Sequence, residues 1–219
     1  MTATPIALED REASGARLQS PSAGRNKRPI ANRLAELLPV GAEVLGIASG
    51  TGEHAHATLQ ERPDLSWQPS DPDRASRASQ DAWASDFADW RMRPSLDLDT
   101  TRPHWWGGLP DFDAVFCANM IHIAPWEAAG GLARGAVELL RRDGLLVLYG
   151  PFLKGAESTE GNRAFDASLR DRDPRWGVRE LVDVKLLFAK HGLALGEAFA
   201  LPANNDLLVF SRAGRPPRT

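Results

Sequence analysis

Residue types able to do chemistry gather first in Ala48-Ser49-Gly50-Thr51-Gly52-Glu53-His54, directly after the apolar run Val44-Leu45-Gly46-Ile47. Glycines lack a Cβ and tolerate positive φ, so the backbone of such a turn can pass close beneath a ligand. A helix starting after the turn aims its N-terminal N–H groups at whatever sits there. Asp71 closes the next apolar stretch, LSWQPSD, 19 residues after Gly52. That spacing is near the roughly 20 residues between a nucleotide-binding glycine turn and the acid that accepts the ribose hydroxyls. Turn, spacing and acid together point to an adenosine-containing ligand.

Two cofactor classes satisfy this pattern. Gly50-x-Gly52-x-x-Ala55 formally matches the dinucleotide fingerprint, so an NAD-dependent oxidoreductase is one reading. Against it, no second βαβαβ half is evident. The last two predicted strands, LALGEAFAL and NDLLVFSR, are joined only by PANN and must therefore be antiparallel.

Other residues are candidates for the acceptor side. His122 and Trp126, in ANMIHIAPWE, follow the fourth predicted strand, where an open α/β sheet faces its ligand crevice. A histidine of near-neutral pKa can take an acceptor's proton there. Tyr149 ends the fifth predicted strand and can donate or accept a hydrogen bond in the same crevice. Asn204 and Asn205 suit a turn, with Asn204 also a candidate contact to the acceptor. Seven tryptophans stand against one tyrosine, and they are dispersed without period. Aromatics of this kind serve packing, and they also line concave ligand sites. His54 and His56 form an H-x-H pair, but positions i and i+2 of a helix do not share a face. No cysteine or carboxylate cluster completes a metal site around them. Cys117 falls within an apolar strand and reads as an inert buried thiol.

The elements that must position these residues alternate. PIANRLAELLP places Ile30, Leu34 and Leu37 on one helical face, with Pro29 in the first turn and Pro39 at the end. Strands are predicted at VLGI, LSWQPSD, PSLDLDT, FDAVFCAN and LLVLYG, with helices between them. The helix EAAGGLARGAVELLRRDG is expected to carry Arg141 and Arg142 in its last turn and Gly144 just beyond. Residues 151–180 have weak periodicity and many charges, which suits a lid or short helices. Alternation of this kind defines an α/β class with a mostly parallel sheet.

The charge balance, 26 basic against 29 acidic residues for a net −3, argues against nucleic acid as an obligatory partner. The one cysteine cannot form an intrachain disulfide. No stretch approaches the roughly 20 apolar residues that cross a bilayer, and MTATPIALEDREASG lacks the apolar core of a secretory signal. A cytoplasmic protein without a membrane partner is expected.

The whole pattern is similar to class I S-adenosylmethionine-dependent methyltransferases, whose sheet ends in such an antiparallel hairpin. RNKRPI, IASGTGEHA, WQPSDPD, FCANMIHIAPWEA, LYGPF, NRAFDASLRDRDPRWGVRELVDV and PANN, in this order, resemble the DUF938 family of methyltransferase-like proteins. The resemblance runs from about Arg25 to Arg212. It implies an α/β Rossmann-like fold with a seven-stranded, mostly parallel sheet and helices on both faces. It further implies S-adenosyl-L-methionine as cofactor, held by Ala48, Ser49, Gly50, Gly52 and Asp71, with Asp99, Asn119 and Met120 beside it. One position departs from such enzymes: Gly46 stands where an acid usually positions the methionine end of the cofactor. Residues 25–212 are expected to form the domain, after a loose arm at 1–24 and before a frayed tail at 213–219. The expected activity is methyl transfer to a small molecule, with His122 and Tyr149 catalytic and Trp126 and Asn204 against the acceptor. A binding module without catalysis and an NAD-dependent oxidoreductase are the alternatives.

Overall fold

Ser20 accepts a hydrogen bond from the Ala23 N–H and so caps the first helix, α1 (Pro21–Leu37). The helix therefore starts eight residues earlier than Pro29 suggests, and Pro29 lies in its interior. Its inward face is the one the spacing predicts, since Ile30, Leu34 and Leu37 are all buried. Tertiary packing here overrides a local breaker signal.

This computed structural model describes residues 11–214; the chain divides after Leu98 into two compact units. In the first, a short antiparallel hairpin, β1 (Glu12–Ser14) and β2 (Arg17–Gln19), precedes α1. Then come β3 (Glu43–Ile47), α2 (Glu53–Glu61), β4 (Ser66–Pro69) and α3 (Arg74–Ala84). β3 and β4 are parallel, with Val44 opposite Trp67 and Gly46 opposite Pro69. The described part of the expected loose arm is thus hairpin and helix; residues 1–10 and 215–219 lie outside the described residues.

PSLDLDT is not a strand. Around it only single bridges form, Trp67 with Met92 and Ser70 with Leu96. The Leu96 N–H donates to the Pro69 carbonyl at 3.0 Å, and its carbonyl accepts from the Asp71 N–H at 3.0 Å. Pro94 has no N–H to give a ladder, and the Asp97 carboxylate turns to Arg77 instead. Among the described residues the main sheet therefore has six strands, not the seven expected.

The second unit holds the other four. β5 (Phe112–Ala118) pairs in parallel with β6 (Leu140–Pro151). β8 (Asn205–Arg212) runs antiparallel to β7 (Leu193–Leu201), as their short connection requires, and also to β6. Helix α4 (Trp126–Leu139) connects β5 to β6. It stops before Arg141 and Arg142, because Leu140 is already extended and paired opposite Phe112. Gly144 belongs to that strand rather than to a helix cap. Segment 151–180 carries α5 (Glu160–Arg172), and α6 (Leu181–Lys190) leads into β7. Among the described residues, no helix is long and apolar enough to cross a membrane.

Candidate functional site

The turn after β3 is built from three left-handed residues, Ala48 (φ 50°), Gly50 (φ 56°) and Gly52 (φ 93°). A side chain at Ala48 in this conformation is strained, which is the cost of turning so sharply. Neighbouring strand ends hold the turn in place. The Ser49 N–H donates to the Ser70 carbonyl at 2.8 Å, and the Ser70 hydroxyl donates to the Gly46 carbonyl at 2.7 Å. A Cβ added at Gly50 would meet nothing within 4 Å, so open space lies beside the turn.

Asp71 faces this turn. Its Oδ2 accepts the Gly50 N–H at 2.9 Å and its Oδ1 the Asp73 N–H at 2.9 Å. Each oxygen retains lone-pair capacity for one further donor. The residue is 6% exposed, and burial pushes its pKa up to about 6 against the pull of those two N–H groups.

Sequence reasoning missed the floor of the site. Gln80 Nε2 donates to the Gly50 carbonyl at 2.9 Å, and Ser79 Oγ to the Thr51 carbonyl at 2.7 Å. Gln80 Oε1 is buried with no hydrogen-bond partner among the described residues. The available signal was the spacing of Ser76, Ser79 and Gln80. They form one polar stripe on α3, and all three are buried.

Glu53 ties the N-terminal segment to the turn. Its Oε2 accepts from the Ser20 N–H at 2.8 Å and the Thr51 hydroxyl at 3.0 Å, and Lys27 pairs with its Oε1 at 2.9 Å. The Leu18 N–H donates to Ser79 Oγ at 2.8 Å, and Trp83 Nε1 donates to the Leu18 carbonyl at 3.2 Å. Residues 18–27 are thus pinned to α2 and α3. Glu53→Gln keeps the shape but exchanges charged for neutral hydrogen bonds, a loss of about 1 kcal/mol. The expected fall in Tm is roughly 2–4 °C for a chain of this size, read by thermal denaturation.

The two histidines of α2 go separate ways. His54 pairs with Asn26 at 2.7 Å, and burial pulls its pKa down to about 4. His56 bonds Asp86 at 2.9 Å and packs at a tilt against Trp83. No group of three or more metal-ligating side chains gathers among the described residues.

In the second unit, Asp99 Oδ1 accepts the Thr101 N–H at 2.9 Å and hydroxyl at 2.7 Å, closing a local turn. Asn119 (φ 60°) donates its N–H to the Tyr149 carbonyl at 2.8 Å and starts the 3-10 turn Met120–His122. Met120 is 8% exposed, Tyr149 2% and His122 1%, so all three residues are buried. The His122 ring lies against Gly150, where a Cβ would come within 2.5 Å of Nε2, and edge-on to Phe152. Nε2 is buried without a partner among the described residues. Burial, then the nearby Arg179 cation, push the His122 pKa down to about 3. Trp126 is half-buried beneath the Arg179 guanidinium, 5.2 Å from its ring centre. Asn204 is an exposed turn residue (φ 56°) whose carbonyl accepts from Asn162 Nδ2 at 3.1 Å.

Solved methyltransferases share this fold. An O-methyltransferase family protein from Burkholderia thailandensis is 16% identical at a TM-score of 0.74, with 89% of this chain and 58% of that one covered. CalO1, a methyltransferase in calicheamicin biosynthesis solved with SAH bound, is 17% identical at 0.73, with 88% and 54% covered. Human N-acetylserotonin methyltransferase, solved with SAM, is 12% identical at 0.70, with 87% and 52% covered. The chain therefore has the Rossmann-like α/β methyltransferase fold and spans little more than half the length of these proteins. The family described as Protein of unknown function (DUF938) matches residues 17–212, and the chain belongs to it.

Proposed function

We propose that this protein is an S-adenosylmethionine-dependent methyltransferase acting on a small-molecule acceptor. One observation carries the reading: a left-handed glycine turn with open space beside Gly50, faced by the Asp71 carboxylate with acceptor capacity left on both oxygens. The fold's solved relatives with SAH or SAM bound support it. Bound there, the cofactor would supply an electrophilic methyl group on a sulfonium.

Asp71 would accept the two ribose hydroxyls, and Ala48, Ser49, Gly50 and Gly52 would line the passage beneath. Asp99, Asn119 and Met120 complete the proposed set. The acceptor side is assigned to Trp126 and the turn that His122 supports. His122 enters as a support for that turn, since an imidazole with its pKa near 3 is a poor proton acceptor at neutral pH. Acceleration in this reading comes mainly from proximity and orientation of the acceptor atom and the methyl group. Tyr149 contributes through its backbone carbonyl to Asn119, and Asn204 shapes the β7–β8 turn.

Gly46 favours a second reading, binding without catalysis, because no acid stands where such enzymes usually hold the methionine end. Calorimetric titration with S-adenosylhomocysteine and NADH in parallel tests the cofactor. Binding of the former alone is expected, and binding of NADH alone overturns the proposal. Transfer of labelled methyl from S-adenosylmethionine to any component of a cell extract excludes the binding-only reading.

A further inference from the structure

Arg179 is held on the turn between β5 and α4 by backbone carbonyls. Its Nε donates to the Ile121 carbonyl at 2.9 Å, and its Nη2 to the carbonyls of Ala124 and Arg175 at 2.9 and 2.8 Å. Three backbone acceptors therefore hold one edge of the guanidinium rigid, on the turn between β5 and α4. The guanidinium carbon lies over the Trp126 ring, 5.2 Å from its centre. Among the described residues, Nη1 makes no hydrogen bond and no carboxylate forms an ion pair with Arg179.

The nearest acids are engaged or exposed. Asp166 is committed to Arg170 at 2.9 Å and to the Val178 N–H at 2.8 Å. Glu127 is exposed in the first turn of α4 and makes no ion pair with Arg179. Arg170 adds like charge. Arginine stays protonated in proteins, so a half-buried cation remains here without a contacting counter-ion. A fixed guanidinium matches a carboxylate better than any neutral partner, and the order already imposed on it lowers the cost of binding.

We propose that Arg179, seated on Trp126, is the anchor for an acceptor bearing a carboxylate. This deepens the methyl-transfer reading and rests on it for the word acceptor; the anion site itself stands on the second unit alone.

Ligand-detected NMR on the full chain tests it, with 4-hydroxybenzoate and its neutral amide as probes. The acid is expected to bind at least tenfold more tightly than the amide. Arg179→Gln is expected to erase that preference, while the exposed Arg142→Gln leaves it intact. If Arg179→Gln fails to fold, Trp126→Leu, which leaves the three carbonyl bonds in place, is expected to weaken the acid several-fold. Equal binding of acid and amide to the native chain overturns the proposal, as does a preference that survives Arg179→Gln or, if that variant fails to fold, undiminished acid binding by Trp126→Leu. S-adenosylhomocysteine is titrated alongside. If it binds and the acid preference is absent, only the acceptor class falls; if the preference is present and it does not bind, methyl transfer falls and the anion site stands.

Discussion

Asp71→Ala is expected to raise the dissociation constant for S-adenosylhomocysteine by tenfold to a hundredfold while leaving the chain folded. Two hydrogen bonds to an ionised acceptor are lost, at a cost of about 1.5–3 kcal/mol, which sets that range. The carboxylate also makes the interaction depend on pH. Its pKa rises from the ordinary 3.8 to about 6, chiefly through burial, so the folded state favours the protonated form. The sign for stability follows: ionising Asp71 costs nothing below 3.8, an increasing amount between 3.8 and about 6, and a constant amount above. Removing the side chain relieves that cost at neutral pH and leaves the Gly50 and Asp73 N–H groups short of an acceptor, so the two effects oppose each other. Ribose hydroxyls donate to the ionised form, so native affinity should be flat above about pH 6 and weaken below it, by at most tenfold per unit. Calorimetry from pH 5 to 8 reads both effects. A variant with unchanged affinity, or one that keeps the pH dependence, removes Asp71 from the cofactor site.

Gly46→Asp introduces a carboxylate near the end of β3 and is expected to damage the fold instead of improving binding. A Cβ at position 46 would lie 2.5 Å from both Ser49 Oγ and Trp67 Nε1. Trp67 is 1% exposed and fixed in β4 opposite Val44, so it has little room to retreat. Overpacking of this kind costs roughly 1–3 kcal/mol, and a buried carboxylate without designed partners adds about 1–3 kcal/mol more. At roughly 2–4 °C per kcal/mol, Tm should fall by about 5–20 °C. Combined with Trp67→Ala, itself a costly truncation of a buried side chain, the two losses are expected to be less than additive, since the two side chains compete for one volume. A Gly46→Asp variant that melts as the native chain does and binds S-adenosylhomocysteine more tightly would show that Trp67 yields its place.

Local rules carried much of this protein. The glycine turn, the acid 19 residues on and the antiparallel closing hairpin depend on conformational freedom, spacing and connection length, all of which are properties of short segments. The inward face of α1 was legible for the same reason, because Ile30, Leu34 and Leu37 repeat with the helix itself. His54 and His56 were separable from i,i+2 geometry alone.

What the tertiary structure decided involves residues far apart in the chain. The start of α1 moved from Pro29 to Pro21, and residues 11–24 of the expected arm are hairpin and helix, with Ser20 and Lys27 meeting the buried Glu53. PSLDLDT lost its strand because Pro94 breaks the ladder and Asp97 answers Arg77. His122 reads as an exposed base from its position after a strand, yet Gly150, Phe152 and Arg179 enclose it and hold it neutral. Gly46 reads as a missing acid until Trp67 is seen filling the space. Sequence periodicity records which way a side chain points relative to its own element. Which partner waits there, and hence whether a group is charged, sealed or available to a ligand, is set only when distant segments pack.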